Sequence, residues 1–326
     1  MNTLYPLKFK PIFKDKIWGG NRIQTVLGKD FSPLSNCGEV WIVSDYQGNH
    51  SIVENGFLAG NELSELIEVY MSDLVGDKVY EKFHNEFPLL IKFIDSNDYL
   101  SIQVHPDDEL AQKKNIGSGK TEMWYILHAE KNAELISGFN QKMNRNLYLQ
   151  HLKNNTLPDI LNFEKVNAGD VFYLPAGRVH TLGPGVLLAE IQQTSDNTFR
   201  IYDWDRVDAE GKSRELHTAL ALEAMDFNVY NNYRTDYPKV MNHSTTLVKC
   251  PYFNTSLLHF NQAISKDYSE LDSFVIFICV QGSCEIFYDQ GIVDMHLGDA
   301  VLIPAEIKNV ILQTTKEAKL LEVYIL

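Results

Sequence analysis

The sequence predicts a mainly β protein of two jelly-roll barrels, with a helical portion attached to the first. Three observations carry this prediction. One turn motif occurs twice: Gly169, Asp170, Pro175, Ala176, Gly177 and His180 return as Gly298, Asp299, Pro304, Ala305, Glu306 and Asn309, each 129 positions on. Short apolar stretches punctuated by glycine and proline fill residues 166–193 and 253–326, the pattern of a barrel or jelly roll. Helical spacing is confined to the chain ahead of residue 226. At 326 residues the chain has room for two domains of roughly 100–200 residues each. The expected division is 1–235, with the helices, and 236–326, a compact barrel, joined through the Asn-, Tyr- and Asp-rich stretch 230–243.

The elements follow in order. Residues 61–75 set Leu63, Leu66, Ile67 and Tyr70 at helical spacing, predicting an amphipathic helix. Leu89, Leu90, Ile91 and Phe93 form an apolar strand, Asn97 and Asp98 a turn, and a second strand follows in which Leu100, Ile102 and Val104 alternate with Ser101, Gln103 and His105. A period of two puts Gln103 and His105 on one face. Residues 121–134 read as strand and 140–154 as helix. Gly169, Pro175, Gly177, Gly183 and Pro184 break 166–193 into short strands, and 212–225 reads as a helix closing the first unit.

Composition narrows the function classes. A formal charge of −14 argues against nucleic acid, whose binding requires clustered cations. No apolar run approaches the ~18 residues of a membrane span. Leu4, Tyr5 and Pro6 lead directly into Lys8, Lys10, Lys14 and Lys16 without an apolar leader core, so a cytoplasmic protein is expected. Cys37, Cys250, Cys279 and Cys284 lack zinc-finger or redox spacing and read as structural. An anionic ligand would depend on individual cations placed around its site.

The repeated turn also carries the chemistry. Gly169, Pro175, Gly177 and His180 resemble the second characteristic motif of the cupin superfamily, in which a glycine–proline turn launches a strand whose histidine projects into the barrel. His105 and Gln103 share a strand face, and Glu122 would add a carboxylate. Two imidazoles, one carboxylate and an amide suit a borderline divalent ion such as zinc with a position open to substrate. The second copy has Asn309 in place of His180, so one metal per chain is expected. His84, His128, His151 and His217 read as ordinary structural histidines.

Longer matches are more specific. Gln103-Val104-His105-Pro106, Lys120-Thr121-Glu122-Met123, and Glu190 followed by Ser195, Asp196, Asn197 and Arg200 are similar to motifs of type I mannose-6-phosphate isomerases, as are Trp18-Gly19-Gly20 and Gly38-Glu39-Val40-Trp41. The resemblance spans most of residues 5–206 and is to the short bacterial branch. The family's usual Lys-Pro-Glu is here Lys120-Thr121-Glu122, and Arg200 is followed by Ile201, Tyr202, Asp203 and Trp204 rather than the pattern of the longer forms. The resemblance implies zinc held by Gln103, His105, Glu122 and His180, with Arg200 in the position of the essential arginine. It also implies that Lys92 and Lys120 line a pocket for a phosphosugar.

The implied reaction interconverts mannose 6-phosphate and fructose 6-phosphate through an enediol. Glu190, Asp196 and a Lys120 of depressed pKa are the candidate bases, and Arg200 either clamps phosphate or stabilises the enediolate. Two other classes stay open on the residues: an iron-dependent cupin dioxygenase, and a non-catalytic sugar-binding cupin.

Overall fold

The computed structural model describes residues 3–207 and 210–326. Strands are numbered β1–β23 and helices α1–α6 in chain order. One six-stranded sheet runs β11 (Val171–Leu174), β8 (Glu122–Ala129), β13 (Val186–Gln193), β6 (Leu89–Ser96), β3 (Glu39–Val43) and β2 (Ile12–Lys14). A five-stranded sheet, β10 (Leu161–Lys165), β9 (Glu134–Phe139), β12 (His180–Leu182), β7 (Ile102–Val104) and β14 (Phe199–Tyr202), faces it. β4 (Asp45–Tyr46) and β5 (Asn49–His50) form a small ribbon.

The C-terminal part repeats this plan. Its six-stranded sheet runs β1 (Leu7–Lys8), β21 (Ala300–Ile303), β18 (Val275–Gln281), β23 (Ala318–Tyr324), β16 (Asn254–Phe260) and β15 (His243–Lys249). Its partner sheet runs β17 (Ile264–Asp267), β22 (Asn309–Gln313), β19 (Ser283–Tyr288) and β20 (Gly291–His296). The order β11-β8-β13-β6-β3 is matched by β21-β18-β23-β16-β15, and β10-β9-β12-β7 by β20-β19-β22-β17. The duplicated turn matches in detail. Gly169 and Gly298 have φ of +90° and +87°, a region that disfavours any Cβ. In each copy the aspartate that follows accepts a backbone N–H three residues upstream of it, from Asn167 (2.8 Å) and His296 (3.0 Å).

Strand alternation decides what lies inside. In β6, Leu89, Ile91 and Phe93 face the largest core, a layer between the two six-stranded sheets that also takes Leu187, Ala189 and Ile191 of β13, Leu257 of β16, and Leu321 and Val323 of β23. Residues of opposite parity, Lys92, Glu122, Trp124 and Glu190, therefore point into the first barrel. On the facing sheet Ile102, Val104, Phe199 and Ile201 pack outward against α5 (Arg145–Lys153) and α6 (Thr218–Ala224). That turns Gln103 and Arg200 inward. Because both faces of these sheets are covered, β6 and β13 are buried along their whole length.

The helices depart from expectation at their ends. α2 (Leu63–Val75) lies where its spacing predicts, with a break at Met71 (φ +45°), and α3 (Asp77–Phe83) follows it. α5 begins only after Asn144, whose side chain caps Leu147 N–H (3.0 Å), so 140–143 is not helical. The helix expected over 212–225 is reduced to α6. Residues 212–217 instead run back beside β14, where His217 N–H bonds the Arg200 carbonyl (2.8 Å). The short helices α1 (Arg22–Thr25) and α4 (Asp108–Lys114), the second capped by Asp107, complete the set.

Candidate active site

Sheet register assembles the site in two facing rows. Across one sheet Trp41 pairs with Lys92, Lys92 with Glu190, and Glu190 with Trp124. Across the other, Ser137 pairs with His180, His180 with Gln103, and Gln103 with Arg200. Directly opposed residues point to the same face, so each row lines the barrel interior. Sheets stacked about 10 Å apart leave room between them for a small molecule and its ligating side chains.

His105, Glu122 and His180 converge at the back of this space, and one ligating atom from each lies within 4.8 Å of the others. His180 Nε2 is 3.2 Å from Glu122 Oε1 and His105 Nε2 is 3.5 Å from Oε2, with all three residues at most 2 % exposed. His105 Nδ1 faces the Asn197 carbonyl (2.7 Å) and His180 Nδ1 the Arg178 carbonyl (2.8 Å). A carbonyl only accepts, so each Nδ1 carries the proton and each Nε2 presents a lone pair to the shared space. Burial, then the Lys120 charge, lower the pKa of His105 to about 3, which keeps it neutral. Burial would raise Glu122, but the Lys120 ammonium leads the opposing charges that hold the carboxylate well below its ordinary range.

His105 Nε2 and both oxygens of Glu122 are buried without a hydrogen-bond partner. Leaving such groups unsatisfied is costly unless something else binds there. Two lone-pair nitrogens and an ionised carboxylate fit a divalent cation. Gln103 lies beside the same space, with its amide nitrogen Nε2 3.3 Å from His180 Nε2.

In front lies a cavity of about 290 Å³ lined by Gln103, Lys120, Lys92, Glu190, Asp196 and Arg200, among others. Lys92 Nζ is 3.4 Å from Glu190 Oε2, 3.8 Å from Glu39 Oε2, 3.8 Å from Asp196 Oδ1, and 4.9 Å from the centre of the Trp41 ring. Burial opposes its charge, but Glu39, Glu190 and Asp196 raise its pKa above the ordinary lysine range. Glu190 accepts from Trp124 Nε1 (2.8 Å) through Oε1, while Oε2 has no hydrogen bond. Burial and the Glu122 charge raise its pKa against the pull of Lys92 and Lys120. Lys120 Nζ sits 3.2 Å from Glu122 Oε2. Burial lowers its pKa, but Glu122 and Glu190 prevail and raise it. The protein's own groups thus favour an ammonium at Lys120. Asp196 is half-exposed at the rim.

The sequence matches the model of the type I phosphomannose isomerase catalytic domain over residues 6–134 and that of the mannose-6-phosphate isomerase cupin domain over 243–325. It is 36 % identical to mannose-6-phosphate isomerase ManA of Bacillus subtilis over 311 residues, covering 93 % of this chain and 94 % of that one. The chain belongs to the type I phosphomannose isomerase family. Mannose-6-phosphate isomerase of Streptococcus mutans is 33 % identical, with 93 % and 94 % of the two chains covered. The crystal structure of the Bacillus subtilis mannose 6-phosphate isomerase superposes with a TM-score of 0.87 at 31 % identity over 98 % of this chain and 99 % of that one. A variant of the Salmonella typhimurium phosphomannose isomerase shares the fold at a TM-score of 0.78 and 16 % identity, covering 98 % of this chain and 99 % of that one. Family membership removes the dioxygenase alternative from consideration.

Every site residue expected from sequence falls in or beside this cavity. Sequence reading missed others that line it, among them Lys16, Trp18, Glu39 and Arg214. Glu39 had a signal, since Val40 and Ile42 take the outward core and leave Glu39 and Trp41 the inward face. Its pKa is pushed down to about 2, burial being overcome by Lys92, Lys16 and the Trp41 N–H (2.7 Å). Arg214 had none, because it enters from an irregular segment. His217, read as structural, accepts the Arg200 backbone N–H (3.1 Å) through Nδ1. No helix is long and apolar enough to cross a membrane among the described residues.

Proposed function

We propose that this chain is a zinc-dependent mannose-6-phosphate isomerase of the cytoplasm. It has two cupin-type barrels, a catalytic one with attached helices (1–235, apart from Leu7–Lys8, which pair into the other barrel's sheet) and a metal-free one (236–326). The observation that carries the reading is the convergence of His105, Glu122 and His180, with His105 Nε2 and both Glu122 oxygens orphaned, at the back of a cavity ringed by Lys92, Lys120 and Arg200. Gln103 would complete the ligand set through its amide oxygen. The same cations disfavour a neutral sugar-binding module, which has no need of them.

Aldose–ketose interconversion moves one proton from C2 to C1 and another from O2 to O1, passing through an enediol. A bound cation supplies polarisation of the sugar's carbonyl and hydroxyl oxygens. Glu190 is placed to take the carbon-bound proton and return it at the neighbouring carbon. Its Oε2 accepts no hydrogen bond, Trp124 fixes its other oxygen, and its raised pKa brings it nearer the operating pH. Lys120, kept as an ammonium, and Arg200 supply positive charge for the enediolate and a proton source for its oxygens. Lys92 holds Glu190 in place, and Asp196 offers an acceptor for a sugar hydroxyl at the rim.

The test is a coupled assay of mannose 6-phosphate turnover on chelated and zinc-restored protein. Activity lost on chelation and regained with zinc is expected. Absence of turnover in zinc-loaded protein, or full turnover after chelation, defeats the reading.

A further inference from the structure

The outer end of the cavity contains a charge arrangement that metal binding and proton transfer do not use. Beyond β14 the chain runs out through Asp203 and Arg206 and returns through Arg214 and His217, the two legs bridged at Val207 and Ser213. Arg214 donates Nε–H (2.7 Å) and Nη2–H to the two oxygens of Asp203, a bidentate pair. Arg206 donates to the same carboxylate (2.6 Å) and lies 3.6 Å from the exposed Asp98. Asp203 is only 5 % exposed, and both arginines hold its pKa down despite burial.

Among the described residues, no carboxylate lies within 4 Å of the Arg200 guanidinium. Its Nη1 donates to the Glu215 carbonyl (2.8 Å), and its Nε is buried with no acceptor. Two guanidiniums therefore share one buried carboxylate, and Arg200 lies close enough to feel its charge. Burial, then Arg214, lower the pKa of Arg200, so Arg200 and Arg214 are near enough to repel. Both line the cavity. Such a cluster in a chain of net charge −14 calls for an anion at this end.

The register separates the two arginines by task. Arg200 is paired with Gln103, which is paired with His180, so Arg200 stands one strand from Gln103 and beside the reacting end. β14 is the edge strand of its sheet, and Arg214 lies on the leg returning past that edge. A six-carbon sugar phosphate lying with its C1–C2 end toward His105 and His180 would extend its phosphate outward along this line.

We propose that Arg214, oriented by Asp203, is the anchor for the phosphate dianion of the substrate, while Arg200 faces the reacting carbons. Recognition of charge and stabilisation of the enediolate are thereby divided between two guanidiniums. The inference rests on the isomerase reading above. Asp203 is a positioning residue, since it holds the planar fork of Arg214 in a fixed direction and leaves Nη1 to the ligand.

Arg214→Gln is to be compared with wild type by steady-state kinetics on mannose 6-phosphate, and by calorimetric titration of metal-stripped protein with inorganic phosphate and with unphosphorylated fructose. Loss of a charge-assisted contact is worth about 10- to 100-fold. The expected result is a KM raised by that factor with kcat nearly retained, phosphate affinity weakened in parallel, and any fructose binding unchanged. Arg214→Lys recovers part of the KM loss and carries the test if the glutamine variant does not fold. KM and phosphate affinity at wild-type values in either variant, or a fall in kcat with KM unchanged, overturns the assignment. Should the wild-type protein turn over no mannose 6-phosphate, the isomerase reading fails, and the phosphate titration still decides the anchor.

Discussion

Lys92→Met tests how the buried charges of the site are held. The Lys92 side chain is 3 % exposed and faces Glu190 at 3.4 Å and Glu39 at 3.8 Å, themselves 3 % and 12 % exposed. Removing one member of a buried ion pair leaves the other charge uncompensated, at a cost of roughly 3–5 kcal/mol. In a chain of this size that lowers Tm by on the order of 5 °C or more. The loss must also depend on pH. Glu190 already has a raised pKa, and Lys92 is the largest influence pulling it down, so the variant moves it higher still. A carboxyl whose folded pKa lies above its unfolded value binds more protons in the native state. Stability therefore falls as pH rises through that window. Raising the folded pKa extends the window upward. Urea and thermal unfolding of wild type and variant at pH 5.5 and pH 8 provide the measurement, with the larger difference expected at pH 8. A variant as stable as wild type at pH 8, or one more damaged at the lower pH, refutes the role given to Lys92.

Two further outcomes follow from the same geometry. Arg200→Lys retains bound zinc but loses most turnover, on the order of 100-fold, because a point charge does not replace a planar fork; metal analysis beside the coupled assay checks this, and full activity would make Arg200 structural. Glu39 has a folded pKa of about 2 and so contributes stability above the unfolded carboxylate range that is lost as pH falls toward about 2. In Glu39→Gln the slope of stability against pH over roughly pH 4.5 to 2 is shallower, and equal slopes in acid unfolding would contradict the pairing.

Much of the candidate metal site was legible because its residues obey local rules. Gln103 and His105 declared their shared face through the alternation of Leu100, Ile102 and Val104. The turn from Gly169 declared His180 because glycine at positive φ and proline fix the entry to β12, and its second copy reveals the same geometry without the histidine. What stayed hidden depends on distant pairing. β1 lies at the start of the chain yet completes the C-terminal sheet through Leu7 and Leu302, a contact with no local signature. The helix expected over 212–225 failed in its first half because Arg214 is tied to Asp203 and His217 to β14, tertiary bonds that outweigh helical propensity. The Glu190 charge that helps raise the pKa of Lys120 comes from a different strand, so it too had no local signature.

The most direct test of the metal centre is to measure bound zinc per chain and isomerase turnover together in wild type and His180→Ala. One zinc per wild-type chain, with metal and turnover both lost from the variant, is predicted. A metal-free variant that still interconverts mannose 6-phosphate and fructose 6-phosphate, or a fully active variant that keeps its zinc, would contradict a centre built on His105, Glu122 and His180.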